Sequence, residues 1–225
     1  AKDPAFKRTR ENNMEFGGSA KASKAFRLAL STVLQSMAGR YLTSRLTKLF
    51  KIINLKSLGT RGQRPIELSE YKETLKNFDL NKRTNLASIF GTAFNTTNNV
   101  DRNEGTIIVP SFVPRDFINA PTGATHFRLV LALGAVSDYV FDDGVGGYEA
   151  AVPELNGLSA IEYGAISELG STPVDFTLTA AFADAPVMSD VVSVVQCLGI
   201  EFFQAVGGEY YVLAQDNAMK VVEVF

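Results

Sequence analysis

Few residues in this chain could do chemistry. His126 is the single histidine and Cys197 the single cysteine, so an imidazole base, a zinc site or a thiol nucleophile would have to rest on them. Alternation through residues 125–133 puts Thr125, Phe127, Leu129, Leu131 and Leu133 on one face of a strand and His126 with Arg128 on the other, the expected place of a surface histidine. Cys197 sits in Val194-Val195-Gln196-Cys197-Leu198, where a small core side chain is expected. Asp138, Asp142, Asp143 and Glu149 surround Gly144-Val145-Gly146-Gly147. Calcium needs such oxygens and a pliable turn, but the ordered ligand spacing of an EF-hand is missing, so a solvated acidic turn is expected. There is no G-x-x-x-x-G-K-[ST], no G-x-G-x-x-G after a strand, no H-E-x-x-H and no C-x-x-C. The reading is a non-enzyme without a cofactor or metal.

The weight lies instead in residues 25–55. Phe26, Leu30, Val33, Met37 and Tyr41 form one helical row and Leu34, Ala38, Leu42, Leu46, Leu49 and Ile53 the next, making one broad apolar face. No carboxylate lies between Phe16 and Pro65. Residues 1–90 carry 18 Lys and Arg against 7 Asp and Glu, a net +11, and residues 91–225 carry 4 against 17, a net −13. A basic front is joined to an acidic back, hidden in an overall charge of −2.

In chain order, residues 1–18 are polar, with Phe6, Met14 and Phe16 spaced along them and a glycine pair at the end. They read as an extended arm that orders by laying these anchors on a neighbour. A basic helical region follows over residues 19–78, with Ser19 or Ser23 as its cap, Gly39 as a kink or split, an end near residues 54–59, and a short second helix over 67–78. From Asp79 the period changes to two and turn signals arrive regularly. Strands are expected at 80–90, 92–100, 105–112, 125–136, 138–141, 174–183, 191–206, 209–214 and 218–225. Hairpins close at residues 98–105 and at Gly207-Gly208. The fold class is therefore α+β, a basic N-terminal helical region followed by an antiparallel Ig-like β-sandwich over residues 79–225. Gly-rich acidic loops at 142–170 decorate one end.

Two uses of the basic front present themselves. Lys7, Arg8, Arg10, Arg40, Arg45, Lys48, Lys51, Arg61 and Arg64 could neutralise phosphates, giving sequence-blind binding or packaging of nucleic acid. Alternatively the two halves complement each other between copies, and head-to-tail docking builds a filament, tube or shell. Self-assembly through the arm and basic region is the leading expectation, and docking of the helices on their own sandwich is the competing use of the same fields. No apolar run approaches a membrane span, and the first twenty residues hold no signal-like apolar centre, so a cytoplasmic protein is expected.

Phe6-Lys7-Arg8-Thr9-Arg10-Glu11-Asn12-Asn13-Met14-Glu15-Phe16-Gly17, Thr43-Ser44-Arg45-Leu46-Thr47, Pro121-Thr122-Gly123-Ala124-Thr125-His126-Phe127 and Leu198-Gly199-Ile200-Glu201-Phe202-Phe203 resemble a family of uncharacterised proteins from Bacteroidetes-type genomes. The resemblance covers most of the chain, implies no activity, and is in keeping with a cytosolic start.

Overall fold

The computed structural model describes residues 3–225. Three helices lead: α1 (Lys7–Ala29), α2 (Ser31–Met37) and α3 (Leu42–Lys56). Their apolar rows need cover, and this chain supplies it. Phe26, Leu30, Val33, Met37, Leu46, Phe50 and Ile53 are buried against Val130, Ala132, Val136, Val195, Cys197, Met219 and Val221 of a sheet, the intrachain use of the amphipathic face. The helical run breaks twice, at Leu30 and over residues 38–41, where Tyr41 takes a left-handed φ of 65°. A side chain at Gly39 would meet Asn81 Oδ1 at 2.5 Å, so only glycine lets the chain pass there.

After α3 come α4 (Leu86–Ile89), β1 (Asn95–Asn98), β2 (Glu104–Phe112), α5 (Pro114–Phe117), β3 (His126–Ser137), β4 (Tyr139–Asp142), β5 (Gly147–Ala150), β6 (Ser159–Tyr163), β7 (Ser167–Glu168), β8 (Val174–Ala181), β9 (Val192–Val206), β10 (Glu209–Val212) and β11 (Ala218–Val224). All pairings are antiparallel. The larger sheet runs β10-β9-β3-β6, with β11 also on β9 and β7 on β3, and β1-β2-β8 form a second sheet. A second core fills the space between them, with Phe127, Leu129, Leu131, Leu133, Leu198, Ile200 and Phe202 facing Ile107, Val109, Phe176 and Leu178. The order is thus helices, large sheet, small sheet, and the large sheet is apolar on both faces. That explains the unbroken apolar runs 129–136 of β3 and 197–200 of β9, since a strand covered on both sides need not alternate.

Several expectations are corrected. Residues 1–18 are not an extended arm: helix begins at Lys7 after a 3₁₀ turn over Pro4–Phe6, with Asp3 accepting the Ala5 amide, while residues 1 and 2 fall outside the described residues. Ser19 and Ser23 therefore lie inside α1, buried, and cap nothing. Residues 67–78 hold only a 3₁₀ turn, Lys72–Thr74. Leu68 and Leu75 are sunk into the helix–sheet core, and the segment after them pairs with the outer edge of β11 through Asn77, Phe78 and Leu80. Residues 80–90 contain no strand; Asn85 caps the one-turn α4 by accepting from Ser88. The region 142–170 is more ordered than loops, since β5, β6 and β7 lie within it. Most other strands fall within about two residues of their expected bounds, although β1 is half the length expected of it.

Candidate assembly surface

Glu15 organises the start of the chain. It lies on the α1 face turned toward α3, where its side chain is 1% exposed. It accepts from the Lys51 ammonium, from the Arg64 guanidinium through both Nε and Nη2 at 2.8 Å, and from the Gly62 amide at 2.8 Å. Burial pushes the carboxyl up, but the hydrogen bonds from Arg64, Lys51 and Gly62 outweigh it and hold the group at about 2, against an ordinary 4.5. Next to it Gly18 lies against the Tyr148 ring, and the Tyr148 hydroxyl donates to Arg64 O at 2.8 Å. The carboxylate thereby ties α1, α3 and the 61–65 turn together, and Tyr148 joins β5 to the same turn. Nothing in its spacing marked Glu15 out; the signal available was its place as the last acid before a long acid-free, cation-rich stretch.

This network sorts the basic residues. Lys51 and Arg64 are committed to Glu15. Arg45 donates to the Asp79 and Leu80 carbonyls and covers the Phe78 ring. Lys7 and Arg61 both approach Glu11, at 3.9 and 3.7 Å, and Arg10 donates to Asp3 O. Arg8, Arg40 and Lys48 are exposed and have no ion pair among the described residues. Six of the nine cations are thus engaged within the chain.

Phe6, Met14 and Phe16 reach solvent from helical turns: Phe6 is 56% exposed, Met14 37% and Phe16 55%. Phe16 also opens a groove of about 1090 Å³ on the side of the helices turned away from the sheet. Ala20 and Arg27 of α1, Leu34 of α2, and Leu42, Ile52 and Leu55 of α3 line it, with Lys48 on its margin. Along α3 it extends about 20 Å, at 1.5 Å per residue. Among the described residues the buried Nε of Arg27 has no hydrogen-bond partner. A second cleft, lined by Arg83, Ser88, Asn119 and Asp216 among others, mixes both signs of charge.

The acidic half presents a different surface. The β9–β10 hairpin turns through Gly207 and Gly208, at φ 61° and 90°, as expected for a tight turn. All four residues of β10 are exposed at the sheet edge, including Tyr210 and Tyr211. His126 lies beside it: its ring meets Tyr210 edge-on at 4.8 Å, and its Nδ1 is 2.9 Å from Thr125 Oγ1. Arg128 is bound to Glu201 and stacked over Tyr163 and Phe203, and Ser36 of α2 donates to the same Glu201 at 2.8 Å.

The acidic cluster is dispersed in space. Asp138 is buried and hydrogen-bonded to Ser69, Asp142 caps the β4–β5 turn through the Gly144 and Val145 amides, Asp143 accepts from Gln63, and Glu149 pairs with Lys21. Among the described residues no group of three His, Cys, Asp or Glu is placed to hold a metal ion. Cys197 is fully buried opposite Ala132, and burial alone pushes its thiol far up. No described helix is long and apolar enough to cross a membrane. No family model, curated protein or solved structure matches the chain.

Proposed function

We propose that this protein is a structural subunit that assembles head to tail, its helical layer meeting the acidic β-region of the next copy. The observation that carries the reading is the apolar groove on the outer side of α1 and α3, bordered by Arg27, Lys48 and Lys51 and free of any acid between residues 17 and 64. The helices have already covered their main apolar face, so this second apolar surface is surplus to folding. Its charge is opposite to that of the chain's other half. Within this reading the two facing sheets act as an Ig-like sandwich that spaces the helical layer from the next subunit, in a cytoplasmic protein. Nucleic-acid binding has less to draw on, because most of the cations are engaged within the chain.

Size-exclusion chromatography with in-line light scattering and absorbance at 260 and 280 nm tests the proposal. Assembly predicts a mass well above 24.4 kDa with a protein-like absorbance ratio. A mass of 24.4 kDa at every loading, or a raised ratio that nuclease removes, contradicts it. Deleting residues 1–18 is not a usable variant, since it strips Glu15 from Lys51 and Arg64. Phe6→Ser with Phe16→Ser leaves that network in place.

A further inference from the structure

We propose that the β9–β10 hairpin of a second copy docks in the groove between α1 and α3. The inference rests on the self-assembly reading and names its two surfaces. The groove side is apolar with a positive border: Phe16, Leu42 and Ile52 on its walls, Arg27 and Lys48 for charge. The hairpin side is its complement. Val206, Tyr210, Tyr211 and Val212 are 48–59% exposed, Glu209 stands beside the turn, and residues 201–219 contain no Lys or Arg.

Shape agrees with charge. Gly207 and Gly208 give the hairpin a tip without side chains, and a Cβ at either would meet no other part of the described residues within 4 Å. Each hairpin strand of four paired residues is about 13 Å long, shorter than the groove. Register puts Tyr210 and Val212 on the face of the hairpin where the Tyr210 ring meets His126, and Tyr211 and Glu209 with Val206 on the other, so the Tyr211 face offers an exposed ring and a valine with an acid beside them. Tyrosines of this kind are the usual anchors of protein interfaces. The hairpin belongs to the sheet layer and the groove opens on the far side of the helices, so a copy does not fill its own groove. Contact between unlike surfaces is heterologous and closes only as a ring, or otherwise runs on as a filament.

Sedimentation velocity at low salt on full-length wild type, Lys48→Glu, Glu209→Lys and Tyr211→Ser tests this. All three side chains are exposed, and circular dichroism confirms that each variant folds. Each charge reversal is expected to weaken self-association about tenfold, and Tyr211→Ser about thirtyfold. A one-to-one mixture of Lys48→Glu with Glu209→Lys is expected to recover assembly, because every hairpin then finds a groove of opposite charge. If wild type assembles and the variants match it, or the mixture does not recover, the hairpin assignment falls while self-assembly stands. Loss of assembly on the groove side alone assigns the groove another occupant, and loss on the hairpin side alone points to edge-to-edge pairing of β10; either overturns the proposal. A wild type that stays monomeric at all concentrations overturns both readings.

Discussion

Replacing Glu15 by glutamine removes the charge at the centre of the Lys51–Arg64–Gly62 network while keeping the side chain's size. The carboxyl is held at about 2 rather than 4.5, and at 1.36 kcal/mol per unit the folded state favours the ionised form by about 3 kcal/mol. Leaving two cations around a neutral amide in a site that is 1% exposed belongs to the costly class of broken buried pairs, on the order of 3 kcal/mol. For a chain of this length that corresponds to a fall in Tm of roughly 6–12 °C. The folded pKa is depressed, so the carboxylate's contribution is complete above about 4.5 and is lost as pH falls toward 2. Urea unfolding of wild type and Glu15→Gln at pH 7, 5, 4 and 3 should show a gap that is constant between pH 7 and 5 and then narrows. A gap under about 1 kcal/mol at pH 7, the size of an exposed pair, or one that does not change down to pH 3, would refute the argument that Glu15 is the tie.

The two adjacent glycines of α1 should respond oppositely to alanine in thermal unfolding. Gly17→Ala meets nothing within 4 Å and should stabilise by about 0.5–1 kcal/mol through helix propensity. Gly18→Ala puts a methyl 2.5 Å from Tyr148 Cγ and should destabilise by about 1–3 kcal/mol. Cys197 should resist iodoacetamide at pH 8 in the native protein and label fully in urea, because burial keeps its thiol protonated. Native labelling at the rate of a free thiol would contradict its placement. Asp138 runs opposite to Glu15. Burial lifts its carboxyl from 3.8 to about 6, the Ser69 hydrogen bonds offset only part of that, and Glu67 adds to the rise. Its contribution is therefore present below about 3.8 and lost as pH rises through about 6. Asp138→Asn should gain on wild type in unfolding free energy between pH 4 and pH 7, and a gap that stays flat over that range would contradict the burial argument.

The strands were legible where local chemistry determines them. Gly207-Gly208 and the Asn-rich turn before Glu104 announced their hairpins, and the 125–133 alternation announced β3 but as a strand with one polar face, whereas Val130, Ala132 and Val136 on that face are buried under the helices. The apolar face of the helices was equally plain, but what covers it is a tertiary fact, since a sheet, a second copy and a membrane all satisfy the same periodicity. Residues 67–78 misled because Leu68, Tyr71, Leu75 and Phe78 are spaced like a helix, yet the backbone closes a series of short turns and its last two residues, Asn77 and Phe78, bond to β11. The glycine pair misled in the other direction. Gly17-Gly18 has the composition of a hinge, but Gly18 is required in mid-helix by the close approach of a ring 130 residues away. As for the candidate surface, Phe6, Met14 and Phe16 are exposed but sit on helical turns instead of an extended arm, and the charge division could be read from composition. The groove could not, because it arises from how α1 and α3 pack side by side.

Self-association driven by opposite charge and apolar contact has a direct signature in a concentration and salt series by sedimentation velocity. The account predicts species larger than 24.4 kDa that grow with protein concentration at low salt and shrink as salt screens the exposed cations and carboxylates. A single 24.4 kDa species unchanged across both series would contradict it.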